Sequence, residues 1–134
     1  MPARPISSGR HIAFAAVLDA LFVLLFVVIG RRSHGETLAL SGIWTTYWPF
    51  LTALVLGWMV ALAWREPTRV QWPGVPVWLV TVAGGMALRA VSMQGVALSF
   101  VIVATVVLGI FLLGWRVLVR WALRSRGKRA HAAR

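Results

Sequence analysis

Cysteine is absent from the 134 residues, which excludes disulfides, thiolate metal sites, iron–sulfur ligation and thioether-bound haem. Acidic residues are scarce as well. Asp19, Glu36 and Glu66 are the three acids, set against fourteen Lys and Arg, and only 13% of the chain is charged while 60% is apolar. Soluble domains average about 25% charged and about 45–50% apolar. A soluble chain this small leaves too much of its surface wet to hide so much apolar material. Soluble globular, disordered and disulfide-stapled secreted classes are therefore excluded, and one polytopic membrane domain remains. Nor is there a nucleophile–base pattern, a glycine-rich phosphate loop or a paired-histidine zinc motif. The expectation is a protein that is not an enzyme, with no catalytic, cofactor-binding or metal-ligating residues.

The net charge of +11 would suggest nucleic acid in a soluble protein. In an apolar chain the basic residues belong instead at the cytoplasmic flanks of membrane helices, against anionic headgroups. The expected partners are the lipid bilayer and anionic lipid headgroups, a second copy of the chain or other membrane protein subunits, and no nucleic acid.

About 20 apolar residues cross a bilayer, and four such runs occur, at about 12–30, 44–64, 76–92 and 96–119. The fold class is thus all-α: a single domain over 1–134 with four transmembrane helices in one bundle. The first run begins after Arg4 and Arg10, as a signal peptide would. It is long for that role, contains Asp19 and meets Gly30-Arg31-Arg32 without a small-residue cleavage site, so it reads as a retained span. Pro67, Pro73, Gly74 and Pro76 punctuate the second loop, and Pro76 suits the first turn of a helix. Pro49 either begins the intramembrane part of the second helix or bends it. Gly35 and Gly42 bracket the first loop. Met93-Gln94-Gly95 leaves room only for a tight hairpin between the third and fourth helices. The basic tail, 120–134, reads as a frayed helix end followed by disorder.

Ten Lys and Arg fall on the side holding the N-terminal segment (Arg4, Arg10), the second loop (Arg65, Arg69) and the tail, against Arg31, Arg32 and Arg89 on the other. That bias places both termini in the cytoplasm, and the membrane expected is the plasma (inner) membrane. Trp64, Trp72, Trp78, Trp115 and Trp121 then fall near the inner interface and Trp44 and Trp48 near the outer one, as an aromatic belt. The pairs Gly57/Ala61 and Ala83/Ala87 suit close helix packing, within the bundle or between subunits.

Leu56-Gly57-Trp58 recurs 57 residues later as Leu113-Gly114-Trp115, each followed six positions after its Trp by another, Trp64 or Trp121. The same offset sets Arg32 over Arg89. Two helical hairpins related by an axis along the membrane normal would produce such a pattern; chance among abundant residue types would too.

Asp19 lies about 11 Å into the first span at 1.5 Å per residue. An ionised carboxylate at that depth must face the bundle, pair or stay protonated. Two arginines are candidate partners. Arg89 follows Thr81 and Gly85 on one face of the third helix, and Arg116 follows Thr105, Gly109 and Leu112 on the fourth. Depth alone leaves both open. Asp19, Arg89, Arg116 and Thr81 together form a candidate intramembrane polar site. Arg31, Arg32, Ser33 and His34 form a candidate outer-loop site, with His34 the residue type suited to sensing external acidity.

Leu18-Asp19-Ala20-Leu21, Gly30-Arg31-Arg32-Ser33-His34-Gly35-Glu36, Trp48-Pro49-Phe50, Gly57-Trp58, Gly85-Met86-Ala87-Leu88-Arg89, Gly95, Phe100 and Gly114-Trp115-Arg116 together resemble domain of unknown function family 3054. These are small prokaryotic four-helix membrane proteins, and the resemblance runs from about residue 12 to 121. It implies the four-helix membrane fold and no established activity, substrate or cofactor. The functional expectation is an accessory or scaffold subunit of the membrane. The alternatives are a small oligomeric transporter or channel with an Asp/Arg polar path, and a membrane sensor or lipid-binding protein.

Overall fold

A computed structural model describes residues 8–134; Arg4 lies outside the described residues. Four helices dominate: α1 (Gly9–Ser33), α2 (Leu40–Ala61), α3 (Val75–Val91) and α4 (Leu98–Ala132). All four are long and apolar enough to cross a membrane, α3 together with the turn that precedes it. Helices adjacent in sequence pack against one another, and α1 closes the ring against α4. The chain is thus a four-helix bundle with two ends. One, the hairpin end, carries the α1–α2 and α3–α4 connections. The other, the terminal end, carries the α2–α3 connection and the start of α1.

The closest pairing joins α2 to α3, because small residues line both. A Cβ on Gly57 would stand 3.2 Å from the Val77 backbone, and one on Gly84 would stand 2.9 Å from the Ala53 side chain. A Cβ on Gly85 would run into the Phe50 ring. Gly57 and Ala61 are buried on this seam, whereas Ala83 and Ala87 face outward. Phe26, Phe50 and Phe100 bring α1, α2 and α4 together, with ring centroids 5.4 to 6.2 Å apart. Tyr47 crosses from α2 to α1 and donates its hydroxyl to the Ala20 carbonyl at 2.9 Å.

Pro49 lies inside α2 rather than at its start, so the second helix begins about a turn earlier than position 44. Gly42, expected in the first loop, is likewise helical. It leaves room for the Arg31 guanidinium, which a Cβ would meet. Gly35 and Gly95 do turn the chain with positive φ, +68° and +80°. Pro76 occupies the first turn of α3.

The basic tail departs most from expectation. α4 continues through it to Ala132 where fraying and disorder were anticipated. Ala, Leu, Arg and Lys, which dominate the segment, are all strong helix formers. Charge ends an apolar span without ending a helix.

Leu62 adopts the left-handed conformation (φ 51°, ψ 47°) and ends α2. From there the chain folds back on the bundle. Ala63, Pro67, Pro73 and Gly74 are all buried, and the Trp72–Pro73 bond is cis. Trp72 sends its indole N–H to the Ala61 carbonyl at 3.0 Å. Rather than a simple spacer, this connection caps the terminal end.

Candidate functional site

Asp19, with no solvent exposure, lies on the face of α1 that meets α2 and α4. Four donors converge on its carboxylate. Oδ1 accepts from Trp115 Nε1 at 2.8 Å and from an Arg116 Nη at 2.9 Å. Oδ2 accepts from Trp58 Nε1 at 2.9 Å and from the other Arg116 Nη at 2.7 Å. A carboxylate offers about four lone-pair positions, and all of them are taken.

Arg116 has no exposed surface either. Its fork grips both oxygens of Asp19 in the bidentate geometry that gives the strongest such pairs. One Nη also donates to the Leu112 carbonyl at 2.6 Å, one turn back along α4. Its Nε donates to the Pro67 carbonyl at 2.9 Å. Four of the five guanidinium N–H groups are thereby engaged. The side chain also sits against Gly74, where a Cβ would stand 3.2 Å from Arg116 Cδ and 2.9 Å from the Arg69 carbonyl oxygen. The network ties α1, α2, α4 and the capping connection together.

An uncompensated buried charge costs several kcal/mol, and a buried pair is tolerated only when geometry is excellent and the remaining donors and acceptors are satisfied. The geometry is bidentate, and every nitrogen and oxygen of the pair has a partner. Electrically the centre is neutral; chemically it is closed. No acceptor position of Asp19 is left for a proton donor or passing cation unless an existing bond breaks.

Of the sequence candidates, the structure brings together Asp19 and Arg116. Arg89 does not join them: it lies near the hairpin end, donating to Gln94 Oε1 at 3.0 Å and to the Gln94 carbonyl at 3.3 Å. Its guanidinium carbon sits 4.5 Å from the Phe100 ring centroid, in cation–π contact. Thr81 is buried, but its hydroxyl donates to the Val77 carbonyl one turn back at 2.6 Å.

Trp58 and Trp115 are the residues that pattern reasoning missed. Trp115, which the belt pattern places at the interface, is 6% exposed and bonded to Asp19. The repeated Leu-Gly-Trp triplet was the available signal, since both of its tryptophans end on the same carboxylate. The repeat is not a structural one throughout. Gly57 is pressed against Val77, whereas a Cβ on Gly114 would meet nothing within 4 Å.

At the hairpin end, Arg31, His34, Glu36, Arg89, Gln94 and Phe100 are among the residues that line a cleft of about 580 Å³. Arg31 is held by three partners. Nε donates to the Thr37 carbonyl at 3.0 Å, while Nη1 reaches Thr46 Oγ1 at 3.1 Å and Glu36 Oε2 at 2.7 Å. His34 is exposed at the rim. Arg32 and Ser33 are exposed too, and Ser33 donates back to the Ile29 carbonyl at 2.8 Å. Arg31 and His34 thus share a site; Arg32 and Ser33 are outside it. Among the described residues, no group of three or more His, Asp and Glu side chains could hold a metal ion.

No curated protein and no solved structure matches this chain. Residues 16–119 match the family described as protein of unknown function (DUF3054), a stretch that contains every member of the Asp19 network and the whole of the cleft lining. The chain therefore belongs to the DUF3054 family.

Proposed function

We propose that the chain is a non-enzymatic accessory or scaffold subunit of the plasma (inner) membrane, crossing it four times with both termini in the cytoplasm. One observation carries the reading: the single carboxylate inside the bundle is saturated by Trp58, Trp115 and Arg116. A proton relay or ion path needs a carboxylate that can exchange partners. Here the ionisable pair serves instead to set helix register and hold the cap in place. The uneven distribution of basic residues supports the orientation. Outward-facing Ala83 and Ala87 on α3 supply a small-residue face on which another helix can approach closely.

The test is extraction of the full chain from native membranes in mild detergent, followed by native mass spectrometry. An accessory subunit is expected to travel with other membrane proteins at a fixed ratio. Recovery of the chain alone, or only with copies of itself, would overturn the accessory role.

A further inference from the structure

The cleft at the hairpin end is a feature that the Asp19 network does not explain. Its charges do not balance. Arg31 and Arg89 both line it, but Glu36 is the one acid there, paired with Arg31 at 2.7 Å. The other two acids are committed at the opposite end, Asp19 to Arg116 and Glu66 to Arg69. Counting arginine and glutamate alone, one positive charge is left over, and it is that of Arg89. Its Nε is buried and, among the described residues, finds no hydrogen-bond partner. That unsatisfied donor leaves the Arg89 charge under-compensated by the protein, and Arg89 lines the cleft, where an acceptor from outside can approach it.

The surroundings describe the rest of the ligand. The Arg89 guanidinium is steadied by Gln94 and by the Phe100 ring, so it is pre-organised. Phe26, Phe100 and Val103 give the cleft an apolar side. Val103 is 53% exposed, and its position one turn along α4 from Ser99 carries the cleft toward the bundle's apolar exterior. A molecule seated here presents an oxyanion to Arg89 and Arg31 and leaves an apolar chain lying along α4. The volume suits a headgroup and the first part of its chains. Thr46 and Gln94 add polar groups around a tetrahedral head.

We propose that this cleft binds one phospholipid of net charge −1, its phosphodiester recognised by Arg89 and Arg31, and distinguished from zwitterionic lipids because their headgroup cation would add to the unbalanced charge of Arg89. This rests on the chain being a membrane protein, and is independent of what the Asp19 centre does.

The probe is dioleoyl-phosphatidylglycerol against dioleoyl-phosphatidylcholine. The full chain is reconstituted in nanodiscs of equal parts of the two, released, and its retained lipid counted by native mass spectrometry. Wild type is expected to keep one phosphatidylglycerol in about tenfold preference, the effect of sparing Arg89 one nearby headgroup cation. Arg89→Gln should remove the preference, and Arg32→Gln, which deletes an exposed charge nearby, should leave it intact. Val103→Trp, which fills the open side without altering charge, should also remove it, and keeps the test sound should Arg89→Gln not fold. No preference in wild type, or equal losses in Arg89→Gln and Arg32→Gln, overturns the site. Retention of added palmitate in place of phosphatidylglycerol overturns the phospholipid assignment. Failure of the chain to enter nanodiscs at all refutes the membrane reading instead.

Discussion

Trp58 and Trp115 donate their indole N–H groups to different oxygens of the same carboxylate, that of Asp19, at 2.9 and 2.8 Å. They arrive from α2 and α4, the two helices that flank α1, and Arg116 fills the remaining positions. Each indole therefore does what an interfacial tryptophan does not: it satisfies a buried charge. Replacing either by Phe keeps most of the apolar body and deletes the donor. Trp58→Phe and Trp115→Phe should each lower unfolding stability by about 1.5–3 kcal/mol, the range for a hydrogen bond to a charged group. Trp121→Phe, at an exposed position on α4, should change it by less than about 0.5 kcal/mol. Equilibrium unfolding in detergent compares the three.

The two Leu-Gly-Trp triplets differ at their glycines, and the difference is testable. Gly57→Ala would push a methyl toward the Val77 backbone at 3.2 Å, so it should destabilise the α2–α3 seam by about 1–3 kcal/mol. Gly114→Ala meets open space inside a helix, and should stabilise by about 0.5–1 kcal/mol. Thermal unfolding of the two variants under identical detergent conditions reads the opposite signs.

Arg31 and Arg32 are sequence neighbours with different work. Arg31 joins the end of α1 to Thr37, Glu36 and Thr46, whereas Arg32 is exposed. Arg31→Gln should cost about 1–2 kcal/mol, reduced from the fully buried case because Glu36 is half exposed. Arg32→Gln should be near neutral. The same unfolding measurement applies, and equal effects would contradict the hairpin-end geometry.

Because the chain has no cysteine, orientation can be read with single introduced thiols. Ser33→Cys at the hairpin end and Ala130→Cys on the extended α4 are both at exposed positions. In intact cells a membrane-impermeant maleimide should label the first and spare the second. The opposite labelling would invert the proposed topology.

Much of the bundle could be read along the chain because the lone buried acid and the apolar runs carry strong one-dimensional signals. Asp19 stood out as a carboxylate inside a helix of leucines, valines and alanines. Its partner did not, since depth along a span says nothing about helix rotation, and Arg89 and Arg116 were equal on that measure. The choice is made in three dimensions by Pro67, whose carbonyl takes Arg116 Nε. It depends on a connection whose folding back no periodicity announces. The indole contacts were hidden for a related reason, because tryptophan is common at membrane interfaces and frequency favoured the belt. The Arg89 cleft was not legible at all as a cavity. It arises where all four helices meet, and it joins Arg89 of the third span with His34 of the first loop, residues that sequence position keeps apart.

The Asp19–Arg116 pair is the centre of this interpretation, and a double-mutant cycle tests it most directly. Asp19→Leu, Arg116→Met and the combined variant would be unfolded to equilibrium in the same detergent. A closed structural lock predicts that each single change, by stranding a buried charge, costs about 3–5 kcal/mol, and that the double variant is more stable than either single one. If the single effects are small, or simply add in the double variant, the two side chains are not locked together and the carboxylate is free for other work.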